Sequence, residues 1–411
     1  MSNLRTIAID LVPLLPGGQN GGAKIFVIEL IRCLSKLSPQ THFVLLTRSS
    51  SHGELAPLEA ANVSRQLIWD DASEGAHSIN LPDLVWDRGG QSSLRTLAMK
   101  MLSPKASANV INTSLFFCPF AGSVFSEVQV PTVSTVYDLQ YRAYPQFFST
   151  NELLERDYNF RFCCKMSAMA VISNNVRSSV LKEELIDANS VFTIYIRLPH
   201  RLPNVDLESK NKTLQGLALS NRCYLLYPAN FWPHKNHEML LTAFSMARSN
   251  GLPSDVKLLC TGAPGERMRE IKHAAEALGL GEVAVFPGFL SENEFASVIG
   301  SCLGVIFPSL YEGFGMPVLE AMSAGCPVAC SNRTSLPEIA GDAAILFDPR
   351  NPMDIMQAML RMANDETYRA DLIKKGIAQA ELFSDPAQMA REYLQLFAYA
   401  FDKYLSSQKQ N

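Results

Sequence analysis

The sequence predicts an α/β protein made of two doubly wound lobes with a cleft between them. Three observations lead to this prediction: a length of 411 residues, short apolar runs that alternate with helical patterns in both halves, and a break in that alternation near residue 200. At about 150 residues per domain, this length favours two to three domains. Strands that alternate with helices form parallel β-α-β units. We therefore expect one parallel sheet in each half.

The first half opens with a strand, a glycine-rich loop and a helix. Thr6–Leu11 has the composition of a buried strand, Pro13–Gly22 that of a loop, and Ile25–Leu34 has apolar residues at helical spacing. Further elements are predicted as strands at Phe43–Thr47, Leu115–Phe117, Val133–Val136 and Ala170–Ser173, and as a helix at Leu153–Lys165. Residues 1–200 are accordingly assigned to a first lobe.

A polar segment separates this lobe from a second one. Residues 201–220 are predicted as a linker, because Arg197–Ser220 is rich in Pro, Asn, Lys and Ser and has no clear periodicity. The second lobe, residues 221–385, is predicted to contain strands at Cys223–Tyr227, Val256–Thr261, Val283–Phe286, Leu303–Phe307 and Pro327–Cys330, with helices at Arg267–Leu278, Glu292–Gly300 and Val318–Ala324. Pro386–Tyr404 is long enough for a helix that returns to the first lobe, so 386–411 is assigned there.

Composition argues against several function classes. A net charge of −4 and a pI of about 6.0 disfavour nucleic acid as a partner. No apolar run reaches the ~18 residues of a membrane span, and the N-terminus lacks a signal pattern, so a cytoplasmic chain is expected. The nine cysteines show no C-x-x-C spacing and indicate small buried side chains in a reducing compartment.

The strongest chemical signal is the segment from Tyr311 to Gly325. It follows a predicted strand, contains two glycines that allow close approach of the backbone to a ligand, and has Pro317 at the expected start of a helix. A helix N-terminus at the carboxyl edge of a parallel sheet attracts a pyrophosphate. Glu320, expected in the first helical turn, can reach a ribose, and Glu312 can face a sugar. The alternative is an ordinary glycine-rich turn with two solvated glutamates.

This segment resembles the two-glutamate signature of the retaining GT-B glycosyltransferases of family four, also called glycosyl transferases group 1. Seven residues separate Glu312 from Glu320, as in that signature. Three more segments resemble the family: Pro233-His234-Lys235-Asn236 its phosphate-binding lysine segment, Pro287–Ser291 its nucleobase loop, and Leu336–Ile339 a later turn. The resemblance implies two Rossmann-like lobes and a nucleotide-sugar donor held mainly by the second lobe.

The resemblance also implies a set of site residues. Glu312, Lys235 and Tyr137 are the catalytic candidates; the donor-binding candidates are Gly21, Gly22, Asn230, Lys235, Leu290, Gly315, Met316, Pro317 and Glu320. Two departures from the family pattern stand out. Tyr137 replaces the histidine that contacts the donor sugar in the family, and Asn230 takes the place of an Arg or Ser. A second positive charge near Lys235 is therefore missing from this part of the sequence.

Neither a metal nor a membrane span is expected. The chain lacks D-x-D and H-E-x-x-H, and His234 and His237 have no further ligands at suitable spacing. The segment Arg88–Ser126 contains no acidic residue, and residues 91–103 form a basic amphipathic pattern. This pattern is typical of a helix on an anionic membrane surface, and equally of a helix that packs on the sheet of the first lobe.

Together these features predict a retaining, metal-independent hexosyltransferase without a cofactor. Its donor is expected to be a GDP- or UDP-linked sugar, with mannose slightly preferred, and its acceptor a glycan or a lipid-linked oligosaccharide in polysaccharide biosynthesis. The chain would then work in the cytoplasm, either attached peripherally to the inner membrane face or, if 91–103 packs on the first lobe, without such attachment. The alternatives are a nucleotide-sugar 2-epimerase on the same fold and a non-catalytic carbohydrate-binding relative.

Overall fold

The first lobe is built on one parallel sheet. The computed structural model describes residues 4–17, 20–71, 113–120, 130–200 and 202–408. Within these ranges, the first sheet has the strands β1 (Thr6–Asp10), β2 (His42–Arg48), β3 (Val63–Trp69), β4 (Leu115–Cys118), β5 (Thr132–Val136), β6 (Ala168–Val171) and β7 (Val191–Thr193). Their order is β3-β2-β1-β4-β5-β6-β7, so the direction of winding reverses between β1 and β4. Ligands of such sheets bind at the carboxyl ends of the strands beside this reversal.

The second lobe repeats this arrangement. Its described strands are β8 (Tyr224–Pro228), β9 (Lys257–Thr261), β10 (Ala284–Gly288), β11 (Gly304–Phe307), β12 (Val328–Ser331) and β13 (Ala344–Phe347). They are all parallel, in the order β10-β9-β8-β11-β12-β13, with the reversal between β8 and β11. The predicted fold class of two doubly wound lobes is therefore confirmed.

Helices cover the faces of both sheets. In the described ranges the α-helices are α1 (Gly21–Leu37), α2 (Ser49–His52), α3 (Gln140–Ala143), α4 (Thr150–Cys164), α5 (Asn174–Leu181), α6 (Leu207–Gly216), α7 (His237–Ser249), α8 (Glu266–Ala277), α9 (Glu292–Ile299), α10 (Met316–Ser323), α11 (Leu336–Ala340), α12 (Pro352–Asn364), α13 (Glu366–Glu381) and α14 (Pro386–Gln408). Short 3-10 helices lie at Gly53–Leu58, Pro145–Phe147, Ala188–Ser190 and Pro233–Lys235.

The segment predicted as an irregular linker contains a helix. Asp206 caps α6 by accepting a hydrogen bond from the Ser209 backbone N–H, at 2.9 Å. Leu214 on this helix is buried in the core of the second lobe. The helix was missed because most of its residues are polar and exposed, so no apolar period marks it.

The last helix of the chain packs on the first lobe. Met389, Tyr393 and Phe397 of α14 are fully buried in the first-lobe core. Tyr393 Oη lies 2.9 Å from Thr135 Oγ1 on β5, a contact that joins residues 258 positions apart. Burying three such side chains contributes several kcal/mol, at ~1.5–3 kcal/mol each, which holds the end of the chain on this lobe.

Candidate functional site

The candidate site lies where the carboxyl ends of the two sheets face each other. Helix α10 follows β11 and begins after Gly315, whose φ of +113° favours glycine. No side chain caps this helix, and its first turn carries no acidic residue, which suits an anion. The helix starts at Met316, earlier than predicted. Glu320 therefore lies in the second helical turn, not the first.

A cavity runs from α10 to the connection between the lobes. Its lining includes Glu320, Met316 and Phe314 from the second lobe, Leu198 and His200 from the connection, and Phe383 before α14. Glu320 is partly exposed. Its position allows it to reach a polar ligand that extends from the start of α10 toward the connection.

Lys235 and Glu312 form a tight ion pair in the cleft. The Lys235 Nζ and Glu312 Oε1 atoms are 2.6 Å apart, although the residues are 77 positions apart in sequence. Both side chains are largely buried, with exposed fractions of 11% and 12%. Such a pair is positioned to exchange partners with an anionic ligand and a sugar hydroxyl.

The turn that carries Lys235 is fixed by hydrogen bonds. Asn236 adopts the left-handed conformation, with a φ of 63°, and its amide donates to the Pro308 and Pro349 carbonyl oxygens at 3.0 and 2.7 Å. The Tyr227 hydroxyl donates to the Lys235 carbonyl oxygen at 2.7 Å. Asn tolerates the left-handed conformation better than most residues. Asn236 therefore suits this turn both by its backbone conformation and by the two hydrogen bonds that its side-chain amide donates.

The backbone of the Glu312 loop is held by residues that precede α11. Thr334 Oγ1 accepts from the Glu312 N–H at 3.0 Å, and Ser335 Oγ donates to the Glu312 and Phe314 carbonyl oxygens at 2.9 and 2.8 Å. Thr334 and Ser335 therefore fix the Glu312 loop before any ligand binds. The Leu336–Ile339 segment that follows them, predicted as a turn, is part of helix α11.

The first lobe closes directly onto this loop. A Cβ atom on Gly313 would lie 2.2 Å from the Tyr137 carbonyl oxygen, and one on Gly22 would lie 1.8 Å from the Met316 methyl carbon. Ser173 Oγ on the first lobe donates to the Gly313 carbonyl oxygen at 2.8 Å. The structure therefore brings Gly22 to the start of α10. The adjacent Gly21 has a φ of +51°, which also favours glycine.

Lys24 stabilises the glycine-rich loop from within. Its Nζ atom donates to the Leu15 and Gly17 carbonyl oxygens and pairs with Glu54 at 2.6 Å. The side chain is buried. Lys24 is therefore committed to the loop and does not face the cleft.

Glu338 is an inter-lobe contact that the sequence did not reveal. Its carboxylate accepts from the Asn174 and Asn175 N–H groups, at 2.8 and 3.0 Å, and from the Tyr195 hydroxyl at 2.7 Å. The two N–H groups form the start of α5, where a negative charge is favoured. Burial, followed by Glu338, raises the pKa of Tyr195 to about 12, so this phenol stays a donor. The only signal available was the glutamate within the Leu336–Ile339 motif.

Tyr137 directs its ring toward the first-lobe core. Its ring packs edge-on against Phe26, with centroids 6.0 Å apart, beside the first-lobe core. The hydroxyl is shielded from solvent and has no hydrogen-bond partner among the described residues. Burial raises the pKa of this phenol well above its usual value. A sugar in the cleft could reach Tyr137 Oη only if this ring moved, and a catalytic role for Tyr137 stays a prediction.

Asn230 and Leu290, two of the donor-binding candidates, differ in their exposure, and their roles stay predictions. Asn230 is exposed, and its side-chain oxygen accepts from the Ala263 N–H at 2.8 Å. Leu290 is only 9% exposed and belongs to the second-lobe core, whereas Phe289 beside it is 79% exposed. The Leu290 side chain is thus part of the core, and only its backbone is open to a ligand.

The two histidines near Lys235 are both kept neutral. Burial, followed by Lys235, lowers the pKa of His234 to about 4 and that of His237 to about 3. The described residues include no group of three side chains arranged to hold a metal ion. Within the same ranges, no helix has the length and apolar character needed to cross a membrane. The basic pattern at 91–103 lies outside the described residues.

Comparison with known proteins agrees with the family resemblance. Residues 210–379 match the family model for glycosyl transferases group 1. The serotype-specific mannosyltransferase WbdA of Escherichia coli is 29% identical over 269 residues, which cover 62% of this chain and 32% of WbdA. The O-antigen chain mannosyltransferase B of Escherichia coli is 34% identical over 176 residues, covering 42% of this chain and 45% of that protein. The chain thus spans less than half the length of these relatives.

A solved structure shows the same overall fold. HepE of Anabaena, crystallised with UDP and glucose, superposes with a TM-score of 0.72 at 16% identity, covering 96% of this chain and 99% of HepE. The likeness extends over both lobes and supports the GT-B architecture. With the family model and the relatives, it confirms the predicted resemblance to group 1 glycosyltransferases.

Proposed function

We propose that this chain, which resembles the group 1 glycosyltransferases through its second lobe, transfers a hexose from a nucleotide sugar to a glycan or lipid-linked acceptor with retention of configuration. The observation that supports this most is the Lys235–Glu312 pair, 2.6 Å apart beside the uncapped start of α10. The cation and the helix N-terminus suit the diphosphate of a nucleotide sugar and the negative charge that develops on it as it leaves. The carboxylate suits the hydroxyls of the sugar.

Lys235 and α10 bind the diphosphate in this proposal. The ammonium group and the helix N-terminus both stabilise the negative charge that grows on the leaving phosphate oxygen, which requires no metal. Glu312 turns from Lys235 to the sugar and orients its hydroxyls. The acceptor hydroxyl approaches from the side of the leaving group, and its proton passes to a phosphate oxygen, which gives retention. Glu320 holds the ribose.

GDP-mannose is the preferred donor because both curated relatives described above are mannosyltransferases. UDP-glucose is the second donor to test, since HepE, which shares the fold, was crystallised with UDP and glucose. A glycan acceptor of polysaccharide biosynthesis fits the O-antigen mannosyltransferase among the relatives.

The test measures donor binding and then turnover. Wild-type protein is titrated with GDP and UDP by calorimetry, and nucleotide release from GDP-mannose and UDP-glucose is followed with and without mannose oligosaccharides. Lys235→Ala should weaken binding of the preferred diphosphate about tenfold or more, because a charge-assisted contact is worth ~1.5–3 kcal/mol. Binding of neither diphosphate by the wild type would refute the proposal. Acceptor-independent release with a 2-epimerised sugar would indicate an epimerase.

A further inference from the structure

A second cation, Arg156, lies at an exposed position on the first lobe. The Arg156 guanidinium on α4 lies over the Phe148 ring, 4.6 Å from its centroid. Among the described residues, Arg156 forms no ion pair or hydrogen bond. Two acids of its own helix make their hydrogen bonds with other residues: Asp157 pairs with Arg142 and Arg161, and Glu152 accepts from Ser149. Ser149, followed by a smaller contribution from Arg156, lowers the pKa of Glu152, so Arg156 has an acidic neighbour but no hydrogen bond to it. The Arg156 charge is thus available to a ligand.

Contacts between the lobes connect the turn before α4 with the lysine segment of the second lobe. Tyr144 stacks on Phe147, next to Phe148, with ring centroids 5.4 Å apart. The Tyr144 hydroxyl donates to the Leu310 carbonyl oxygen at 3.4 Å, and the Leu310 N–H donates to the His234 carbonyl oxygen at 2.8 Å. Direct contacts therefore join the turn that carries Tyr144 and Phe147 to the residue before Lys235, and Phe148, whose ring lies under Arg156, follows that turn in the sequence.

The charge of Arg156 reaches both walls of the cleft. On the first lobe, burial raises the pKa of Asp138, and Arg156 partly opposes this rise. On the second lobe, Arg156 adds to burial and Lys235 in lowering the pKa of His234. These effects require Arg156 to lie near residues of both lobes.

The second lobe alone does not supply enough positive charge for a diphosphate. Lys235 is paired with Glu312 until a ligand takes its place, and Asn230 brings an uncharged amide where a second cation would be useful. A nucleoside diphosphate brings at least two negative charges into a cleft in which Coulomb interactions are stronger than in water. A further cation must come from somewhere else in the cleft.

We propose that Arg156 supplies this cation and contacts the diphosphate of the nucleotide donor across the closed cleft. This inference rests on the proposed function. Because Arg156 belongs to the first lobe and Lys235 to the second, the donor diphosphate then joins the two lobes. Arg156 thus acts as a donor-binding residue that the family pattern does not predict, in place of the cation missing beside Lys235.

The experiment compares three variants by calorimetric titration with GDP, UDP and the matching nucleoside monophosphates. Arg156→Ala should weaken binding of the preferred diphosphate about fivefold to tenfold, up to ~1.4 kcal/mol, and weaken the monophosphate less. Arg156→Lys keeps the charge and should recover part of the loss. Arg161→Ala is the matched control, since Arg161 lies on the same helix, is exposed and pairs with Asp157.

Two results would overturn this inference, and the first of them would leave the proposed function intact. If the wild type binds a diphosphate and Arg156→Ala binds it equally well, the inference is overturned and the proposed function stands. The inference is also overturned if Arg156→Lys loses as much affinity for the diphosphate as Arg156→Ala does, and if both variants lose as much for the monophosphate as for the diphosphate. The charge of Arg156 would then not be responsible for the loss. Thermal midpoints equal to that of the wild type show that the variants are folded.

Discussion

Protonation of His237 should destabilise the protein in mild acid. The imidazole is 2% exposed and lies between the Tyr227 and Phe231 rings, with centroids 4.7 and 4.6 Å away. Its Nε2 atom has no hydrogen-bond partner among the described residues. His237 is also the first residue of α7, so a positive charge there would meet the positive end of the helix dipole.

The magnitude follows from proton linkage. Burial, followed by Lys235, lowers the pKa of His237 to about 3, whereas an unfolded histidine titrates near 6.5. Between these values the unfolded chain binds the proton and the folded chain does not, so the free energy of unfolding falls as the pH falls. From pH 7 to pH 5 the loss is about 2 kcal/mol for this one group. That corresponds to roughly 4–8 °C in the thermal midpoint of a lobe of this size.

The assay is a difference between variants, because other groups, including His234, titrate over the same range. His237→Phe keeps an aromatic ring between Tyr227 and Phe231 but cannot be protonated. Between pH 7 and pH 5, the thermal midpoint of His237→Phe should fall by roughly 4–8 °C less than that of the wild type. His273→Gln replaces an exposed histidine and should behave as the wild type. Equal pH dependence in the wild type and His237→Phe would refute the reasoning.

Three further predictions concern the cleft. Glu320→Gln should weaken binding of the bare nucleoside diphosphate in calorimetry, whereas Glu312→Gln should preserve that binding and lower the turnover rate. Equal losses of affinity in the two variants would mean that the roles are wrongly divided. In Gly313→Ala the new methyl group would clash with a main-chain oxygen, and turnover should fall more than about tenfold. In Gly22→Ala it would clash only with the flexible end of a side chain, so turnover should fall less. A larger loss of initial rate in Gly22→Ala than in Gly313→Ala would contradict this. Glu338→Gln should lower the thermal midpoint by an amount equivalent to about 1–2 kcal/mol, since charge-assisted bonds to two N–H groups are weakened, and an unchanged midpoint would count against an inter-lobe role.

The second lobe could be predicted well from the sequence because most of its candidate site residues are close together along the chain. Gly315, Met316 and Pro317 mark a strand-to-helix turn by local backbone chemistry alone, and Glu312 and Glu320 flank it. The pairing of Lys235 with Glu312 could not be predicted in the same way. It depends on β8 and β11 being neighbours in the sheet, which is a property of the whole lobe.

The first lobe was harder to predict, and Tyr137 shows why. Its position in the sequence suggested a sugar contact, but its orientation depends on Phe26 of α1 and on the surrounding core, to which α14 contributes from the far end of the chain. Side-chain direction at the end of a strand is decided by such packing and not by the local sequence. The same limit explains the short strand β7, whose three residues carry no clear period.

Three other contacts that escaped prediction share one property, because each of them joins the two lobes. Ser173 binds the Gly313 carbonyl oxygen, Glu338 binds the start of α5, and Gly313 lies against the Tyr137 carbonyl oxygen. The loop that carries Glu312 is therefore positioned from both sides of the cleft, although the family motif belongs to the second lobe alone. It follows that substitutions in the first lobe at Ser173 can disturb Glu312 without touching a ligand. The second lobe is thus necessary for the site but not sufficient to shape it.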